Sequence, residues 1–210
     1  MGKWYLVRHG QTDSNAHGRL QGHTDTHLNA GGRRQAEALA ARLGSIAFAA
    51  AYTSDLSRAQ ETAQAILRER GGTFEPLSDL REASHGAWDG LSYDEARERD
   101  PVAYQRFMDA GVHFLSPFAP GGESVEQLVG RVDRAQKLIA NAYGDDDDLL
   151  IVAHSGSVRG LLMRLLDLPL ESFWRFRPLP GSLSIVAVSG ADAVVELWND
   201  TSHLGGSHAG

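Results

Sequence analysis

The sequence predicts an α/β domain, because short apolar runs bounded by turn residues alternate with stretches of helical period. Two of these runs, residues 4–7 and 149–153, are apolar at every position. Strands of this kind are buried on both faces, as the central strands of a parallel sheet are. We therefore expect both runs to lie inside the sheet.

Two amphipathic helices are predicted between these strands. The first has Asn29 as its N-cap and Gly44 as its stop, with apolar residues recurring every three or four positions. The second runs over about residues 55–70, with Ser54 or Asp55 as its N-cap. Both helices would cover one face of the sheet.

The second half of the chain predicts two more helices and a hairpin. A third helix starts near Glu123, and a fourth begins just after His154 and stops before Pro169. Residues 183–188 and 194–198 are typical of two strands joined by a turn at the sheet edge. An exposed edge strand there would permit a homodimer.

The length of 210 residues predicts one domain, over residues 1–204, followed by a flexible polar tail at 205–210. Residues 86–122 interrupt the alternation of strands and helices and are rich in aromatic side chains. This stretch is expected to be an inserted cap with a small core of its own.

Composition excludes several classes of function. The net charge of −7 argues against holding nucleic acid or an anionic membrane by bulk electrostatics. The chain has no cysteine, so disulfides, thiolate nucleophiles and cysteine-bound metals are excluded. Neither a signal-peptide core nor a run long enough to cross a bilayer occurs, which favours a cytoplasmic protein.

Candidate catalytic residues follow the two central strands. His9 and His154 each stand where an apolar run gives way to small residues. In parallel sheets ligands bind beyond the carboxyl ends of the strands, so both imidazoles would face one cleft. Arg8 and Arg58 could clamp a phosphate there. Glu82, just before the cap, is a candidate general acid.

These residues resemble the signature of the histidine phosphatase superfamily, which also contains the cofactor-dependent phosphoglycerate mutases. Arg8-His9-Gly10, followed by Thr12 and Asn15, is similar to its Arg-His-Gly-x-Thr-x-x-Asn motif. Further blocks follow in the family's order across nearly the whole chain: Gly18-Arg19-Leu20-Gln21-Gly22, Ser54-Asp55-Leu56-Ser57-Arg58-Ala59, Leu80-Arg81-Glu82, Gly86-Ala87-Trp88-Asp89-Gly90, Pro120-Gly121-Gly122-Glu123-Ser124 and Val152-Ala153-His154.

The resemblance implies a three-layer α/β/α sandwich with a mostly parallel central sheet and a small helical cap. It also implies a phosphatase of the histidine acid type, acting on a small phosphorylated metabolite without a metal or other cofactor. His9 would form a phosphohistidine, Glu82 would act as acid and base, and Arg8, Arg58 and His154 would hold the phosphoryl oxygens. Further contacts to phosphate or substrate would come from Asn15, Gln21, Gly22, Ser155, His85 and Trp88, with Tyr93, Tyr104 and His113 also shaping the leaving-group pocket. Ser155 departs from the family, which usually has glycine there.

Three alternatives stay open at this stage. A mutase would use the same catalytic residues, although the mutases of the family have a longer insertion between the acid glutamate and Glu123. A metal-dependent hydrolase is suggested by His17, His23 and His27, although the residues between the last two are poor helix formers. A non-catalytic phosphate-binding module is the third, and the substrate itself cannot be predicted from the sequence.

Overall fold

A computed structural model describes residues 1–109, 117, 119–190 and 192–205. Its centre is a six-stranded sheet in the order β3-β2-β4-β1-β5-β6. The strands β1 to β4 run parallel to one another, whereas β5 is antiparallel to both β1 and β6. The mostly parallel sheet is therefore confirmed. The strands are Gly2–Arg8, Ala50–Thr53, Glu75–Pro76, Leu149–Ala153, Leu183–Ser189 and Asp192–Asp200.

Helices pack on both faces of this sheet, which makes three layers. The helices α1 to α7 are Asp13–Ala16, Ala30–Arg42, Ser57–Leu67, Tyr93–Arg99, Pro101–Met108, Val125–Ala142 and Ser155–Leu165. Side chains alternate along β1, so Trp4 and Leu6 join one apolar cluster with α6 and α7. Tyr5 and Val7 join a second cluster with α2 and α3. No helix among the described residues is long and apolar enough to cross a bilayer.

The start of α3 differs from the prediction. The helix begins at Ser57, and its N-cap residue, Leu56, makes no side-chain capping bond. Instead, the Asp25 carboxylate accepts hydrogen bonds from the backbone N–H of Ser57 at 2.8 Å and from its hydroxyl at 2.7 Å. A side chain distant in the sequence satisfies the exposed donor, whereas the hydroxyl of Ser54 accepts from the N–H of Leu56, which precedes the helix.

The cap region contributes α4 and α5 above the carboxyl ends of the strands. A small apolar cluster holds it together, with Trp88 fully buried at its centre. The ring of Trp88 meets Phe107 edge-on, with centroids 5.8 Å apart. The predicted contribution of His113 and the predicted flexibility of residues 206–210 lie outside the described residues.

Candidate active site

The two histidines predicted to share a cleft lie side by side. Strands β1 and β4 are adjacent and parallel, and Arg8 pairs with Ala153 in their register. The residues that follow these two positions are His9 and His154, whose ring centroids are 4.9 Å apart. Both side chains are buried.

A single hydrogen bond sets the tautomer of His9. Its Nδ1 lies 2.7 Å from the carbonyl oxygen of Gly10, and a carbonyl can only accept, so Nδ1 carries the proton. Burial lowers the pKa of His9 well below its ordinary value, and the charges of Arg58 and Arg8 lower it further. The imidazole is therefore neutral at pH 7, with the lone pair on Nε2.

Arg58 fixes the opposite tautomer in His154. Its Nε donates to Nδ1 of His154 at 3.2 Å, so the proton of this neutral ring lies on Nε2. That Nε2 is buried and has no hydrogen-bond partner among the residues described. Burial also lowers the pKa of His154 well below its ordinary value. The site therefore has an unsatisfied N–H donor beside His9.

The other donors of Arg58 bind the loop between α1 and α2. Nη1 donates to the carbonyl oxygen of Thr24 at 2.8 Å, and Nη2 donates to that of Gly22 at 2.9 Å. Arg58 was predicted to clamp the phosphate directly, but most of its hydrogen bonds hold protein atoms in place. Gly22, predicted as a substrate contact, does not line the cavity and acts through this carbonyl.

Arg8 points a second guanidinium into the cavity. Its Nη1 donates to the carbonyl oxygen of Pro178 at 2.8 Å, while its Nε is buried without a partner in the described part of the chain. Desolvation lowers the pKa of Arg8 to about 10, which leaves the side chain charged at pH 7. Burial also lowers the pKa of Arg58 to about 10.

The side chain of Glu82 lies against the N-terminus of α7. Its Oε1 accepts hydrogen bonds from the backbone N–H groups of Gly156 and Ala83, both at 2.9 Å. Its main chain is held by Arg131, whose Nη2 donates to the Glu82 carbonyl oxygen at 2.7 Å. Nε2 of His23 donates to the same oxygen at 2.9 Å. The carboxylate is thereby fixed at the cavity wall.

Arg8, His9, Arg58 and Glu82 line one cavity of about 360 Å³, whereas His154 packs against His9 and is not among the lining residues. Of the predicted substrate contacts, Asn15, Gln21, Ser155 and His85 line it. The carbonyl oxygen of the Gln21 side chain accepts from two threonine hydroxyls, which turns its amide N–H₂ away from them. The placement of Trp88 in the leaving-group pocket is wrong, because the cap core buries that ring.

Sequence reasoning missed several residues that line the cavity. Tyr93 was predicted and does line the cavity, whereas Tyr104 does not. Arg159 lies one turn after Ser155 on α7, so helical spacing could have identified it. The other members carried no such signal. Phe107 comes from α5, Phe173 and Trp174 come from a 3-10 helix over Leu170–Arg175, and Arg19 and Arg177 come from loops.

The three histidines of the metal hypothesis have separate partners. Nδ1 of His17 lies 2.7 Å from the carbonyl oxygen of Asp13, and His23 binds the main chain of Glu82 as described. His27 forms a hydrogen bond with Glu61. Among the described residues, no group of three or more His, Asp or Glu side chains is placed to hold a metal ion.

Comparison with known proteins identifies the family of this chain. The family model of the histidine phosphatase superfamily (branch 1) matches residues 4–201. The chain belongs to this superfamily. It is similar to the Bacillus stearothermophilus protein YhfR, with a TM-score of 0.88 and 33% identity over 97% of this chain and 100% of that one. The predicted family and fold class are thus confirmed.

Two curated relatives are named as metabolite phosphatases. The chain is 34% identical to a metal-independent phosphoserine phosphatase of Arabidopsis thaliana, over 95% of this chain and 82% of that protein. It is 30% identical to an adenosylcobalamin/alpha-ribazole phosphatase of Salmonella typhimurium, over 93% of this chain and 95% of that protein. These relatives act on chemically different esters.

Proposed function

We propose that this protein hydrolyses phosphomonoesters of small metabolites in two steps, through a phosphohistidine at His9. The observation that carries the proposal is the tautomer of His9. Its Nδ1 donates to the Gly10 carbonyl oxygen and its pKa is lowered, so Nε2 holds a lone pair at neutral pH. A neutral imidazole of this kind is a nucleophile, and the two cations beside it attract a phosphate dianion.

In the first step, Nε2 of His9 attacks the phosphorus. The N–P bond forms while the bond from phosphorus to the ester oxygen breaks, and the departing alkoxide takes a proton from Glu82. Arg8 and Nε2–H of His154 are the donors available to the equatorial oxygens, because both groups have buried N–H donors with no partner within the described residues. Arg58 assists by holding His154 in the donor tautomer.

In the second step, water attacks the phosphohistidine. The carboxylate of Glu82, deprotonated by the first step, accepts a proton from the water, and the new P–O bond forms as the N–P bond breaks. Inorganic phosphate leaves, and the neutral His9 and the protonated Glu82 are restored. Glu82 thus gives a proton in one step and recovers it in the other.

A panel of phosphomonoesters tests this proposal. Phosphate release is measured after EDTA treatment for the wild type, His9→Ala and the matched control His17→Ala, whose side chain is exposed and outside the cavity. We expect release to survive chelation, to persist in His17→Ala and to fall by at least about 10³-fold in His9→Ala. Quenching in alkali should trap an acid-labile phosphoenzyme in the wild type.

Three results would overturn the proposal. Phosphate release that EDTA abolishes and added metal restores would assign the chemistry to a metal ion. Undiminished release by His9→Ala would remove the nucleophile. Label transfer from the phosphoenzyme to an added alcohol, in place of water, would indicate a mutase.

A further inference from the structure

The carbonyl oxygen that fixes the tautomer of His9 belongs to a peptide unit with a second hydrogen bond. The oxygen of Gly10 lies 2.7 Å from Nδ1 of His9. The N–H of the same peptide unit is that of Gln11, and it donates to Oε1 of Gln35 at 2.7 Å. A side chain of α2 is thereby connected to the imidazole through one peptide unit, although Gln35 is not among the residues that line the cavity.

The same helix packs closely on this peptide unit. A Cβ on Gly10 would lie 2.5 Å from the carbonyl oxygen of Gly32, and a Cβ on Gly32 would lie 2.8 Å from the nitrogen of Gln11. The first turn of α2 therefore contacts the segment after β1 backbone against backbone, which glycine at both positions permits. The N–H of Asn29, the N-cap of α2, also donates to the Gln11 carbonyl oxygen at 3.0 Å.

The side chain of Gln35 is fixed from its other side by the loop before β5. A Cβ on Gly181 would lie 3.0 Å from Cβ of Gln35. Gly181 is itself bound to the end of β1, because its N–H donates to the carbonyl oxygens of Arg8 and His9 at 3.1 and 3.0 Å. The direction of the Gln35 amide follows from its partner, since a backbone N–H can only donate and the amide oxygen must face it.

Hydrogen bonds in series strengthen one another. When Gln35 accepts from the Gln11 N–H, the peptide unit is polarised and its carbonyl oxygen becomes a better acceptor for Nδ1–H. A histidine that donates from one ring nitrogen to a good acceptor is more basic at the other. This matters for His9, because burial and two arginine charges lower its pKa, whereas the hydrogen bond to Gly10 raises it.

We propose that Gln35 is a positioning residue for the nucleophile. Its Oε1 holds the Gly10–Gln11 peptide unit, and that unit keeps the proton of His9 on Nδ1 and directs the lone pair of Nε2 toward the phosphorus. No bond to Gln35 forms or breaks in either step. This inference rests on the proposed function for the role of His9, and it predicts an effect on the rate of attack and not on phosphate binding.

Substitutions of Gln35 separate these two effects. Gln35→Leu removes the acceptor oxygen at similar size, and Gln35→Met does so with a more flexible stem. The single-turnover rate of phosphoenzyme formation should fall by about tenfold in both, the low end of the loss expected for a group that orients a histidine. Gln35→Glu keeps an acceptor oxygen and should stay within about threefold of the wild type. The inhibition constant of inorganic phosphate should change by less than about twofold in all three.

The control is Gln64→Leu, the same chemical change at an exposed position of α3 outside the cavity lining. It should leave the rate of phosphoenzyme formation and the inhibition by phosphate unchanged. The comparison distinguishes the loss of one acceptor oxygen from the general effect of replacing a glutamine by an apolar residue on a helix.

Nuclear magnetic resonance measures the hydrogen bond of His9 without turnover. Its Nδ1 proton is identified by its absence from the spectrum of His9→Ala. We expect this proton to exchange with water about fivefold faster or more in Gln35→Leu and Gln35→Met, because a weaker hydrogen bond opens more often. Gln35→Glu and Gln64→Leu should show the exchange rate of the wild type.

The two measurements together decide the inference. Faster exchange and slower phosphoenzyme formation, both restored by Gln35→Glu, would support it. Wild-type exchange in Gln35→Leu and Gln35→Met, or a wild-type rate of phosphoenzyme formation in both, would overturn it. Absence of a phosphoenzyme from the wild type would overturn the proposed function instead, and the exchange rates distinguish that case because they require no reaction.

Discussion

Gly156→Ala is predicted to impair catalysis while leaving the fold intact. A Cβ at this position would lie 2.4 Å from Oε1 of Glu82, whereas ordinary contact begins at 3.4 Å. The carboxylate must therefore move by about 1 Å, and it is the far end of a flexible side chain. The hydrogen bond from the Gly156 N–H to the same oxygen, now 2.9 Å, is lost or lengthened. The added Cβ would also lie 2.9 Å from Cδ2 of Leu128, a side-chain atom that can shift.

A misplacement of about 1 Å in a catalytic group can reduce the rate by about 100-fold. We expect kcat/KM of Gly156→Ala to fall between about 10- and 100-fold for an alkyl phosphate, whose leaving alkoxide needs the proton of Glu82. The loss should be smaller for p-nitrophenyl phosphate, because nitrophenolate leaves without protonation. The free energy of unfolding should change by less than about 2 kcal/mol, since the helix gains from alanine what the lost hydrogen bond costs.

Gly130→Ala is the matched control, because its Cβ would meet no atom within 4 Å on the helix α6. It should leave both kinetic constants unchanged and stabilise the protein by up to about 1 kcal/mol. Wild-type kcat/KM on the alkyl ester in Gly156→Ala would refute the assignment of Glu82 as the proton donor. An equal loss on both esters would place the effect at the phosphoryl group.

Three further predictions follow from the same geometry. Arg131→Met removes the donors that hold the main chain of Glu82, so kcat should fall about tenfold or more while KM changes little, and an unchanged kcat would contradict this role. His9 and His154 both have pKa values lowered by burial, so the unfolded chain takes up protons first as the pH falls below about 6.5. Urea unfolding should therefore show full stability above that pH and a loss of up to about 2.7 kcal/mol per pH unit below it, and a flat profile would refute the two shifts. Asp25→Ala removes the cap of α3 and should lower the unfolding free energy by about 1 kcal/mol, measured against Asp13→Ala on the surface.

The sequence was sufficient to predict the sheet and the position of the histidines. The uninterrupted apolar runs of β1 and β4 identify strands buried on both faces, and residues following parallel neighbours must meet at one edge. The N-cap of α2 is Asn29, as predicted, because a cap depends on residues three positions apart in the chain. Local patterns thus predicted what local interactions determine.

Long-range contacts account for what the sequence did not predict. Asp25 caps α3 across 32 positions of the chain, so Ser54 and Asp55 were wrongly favoured as nearer candidates. Trp88 is aromatic and lies in the cap, which is compatible with either a pocket or a core; packing against Phe107 decides for the core. Arg177 carries no periodic signal at all, since its place in the cavity depends on how the loop after Phe173 folds back.

Burial has opposite consequences for the two kinds of base in this site. A histidine starts from a pKa near 6.5, so desolvation drives His9 and His154 to the neutral form at pH 7. An arginine starts from a far higher pKa, so the same cause lowers the pKa of Arg8 and Arg58 only to about 10 and leaves them charged. One dry pocket can therefore keep a nucleophile uncharged beside fixed cations. The hydrogen bonds of Gly10 and Arg58 then separate the two neutral rings into a lone-pair donor and an N–H donor, which are the two roles that phosphoryl transfer to an imidazole requires.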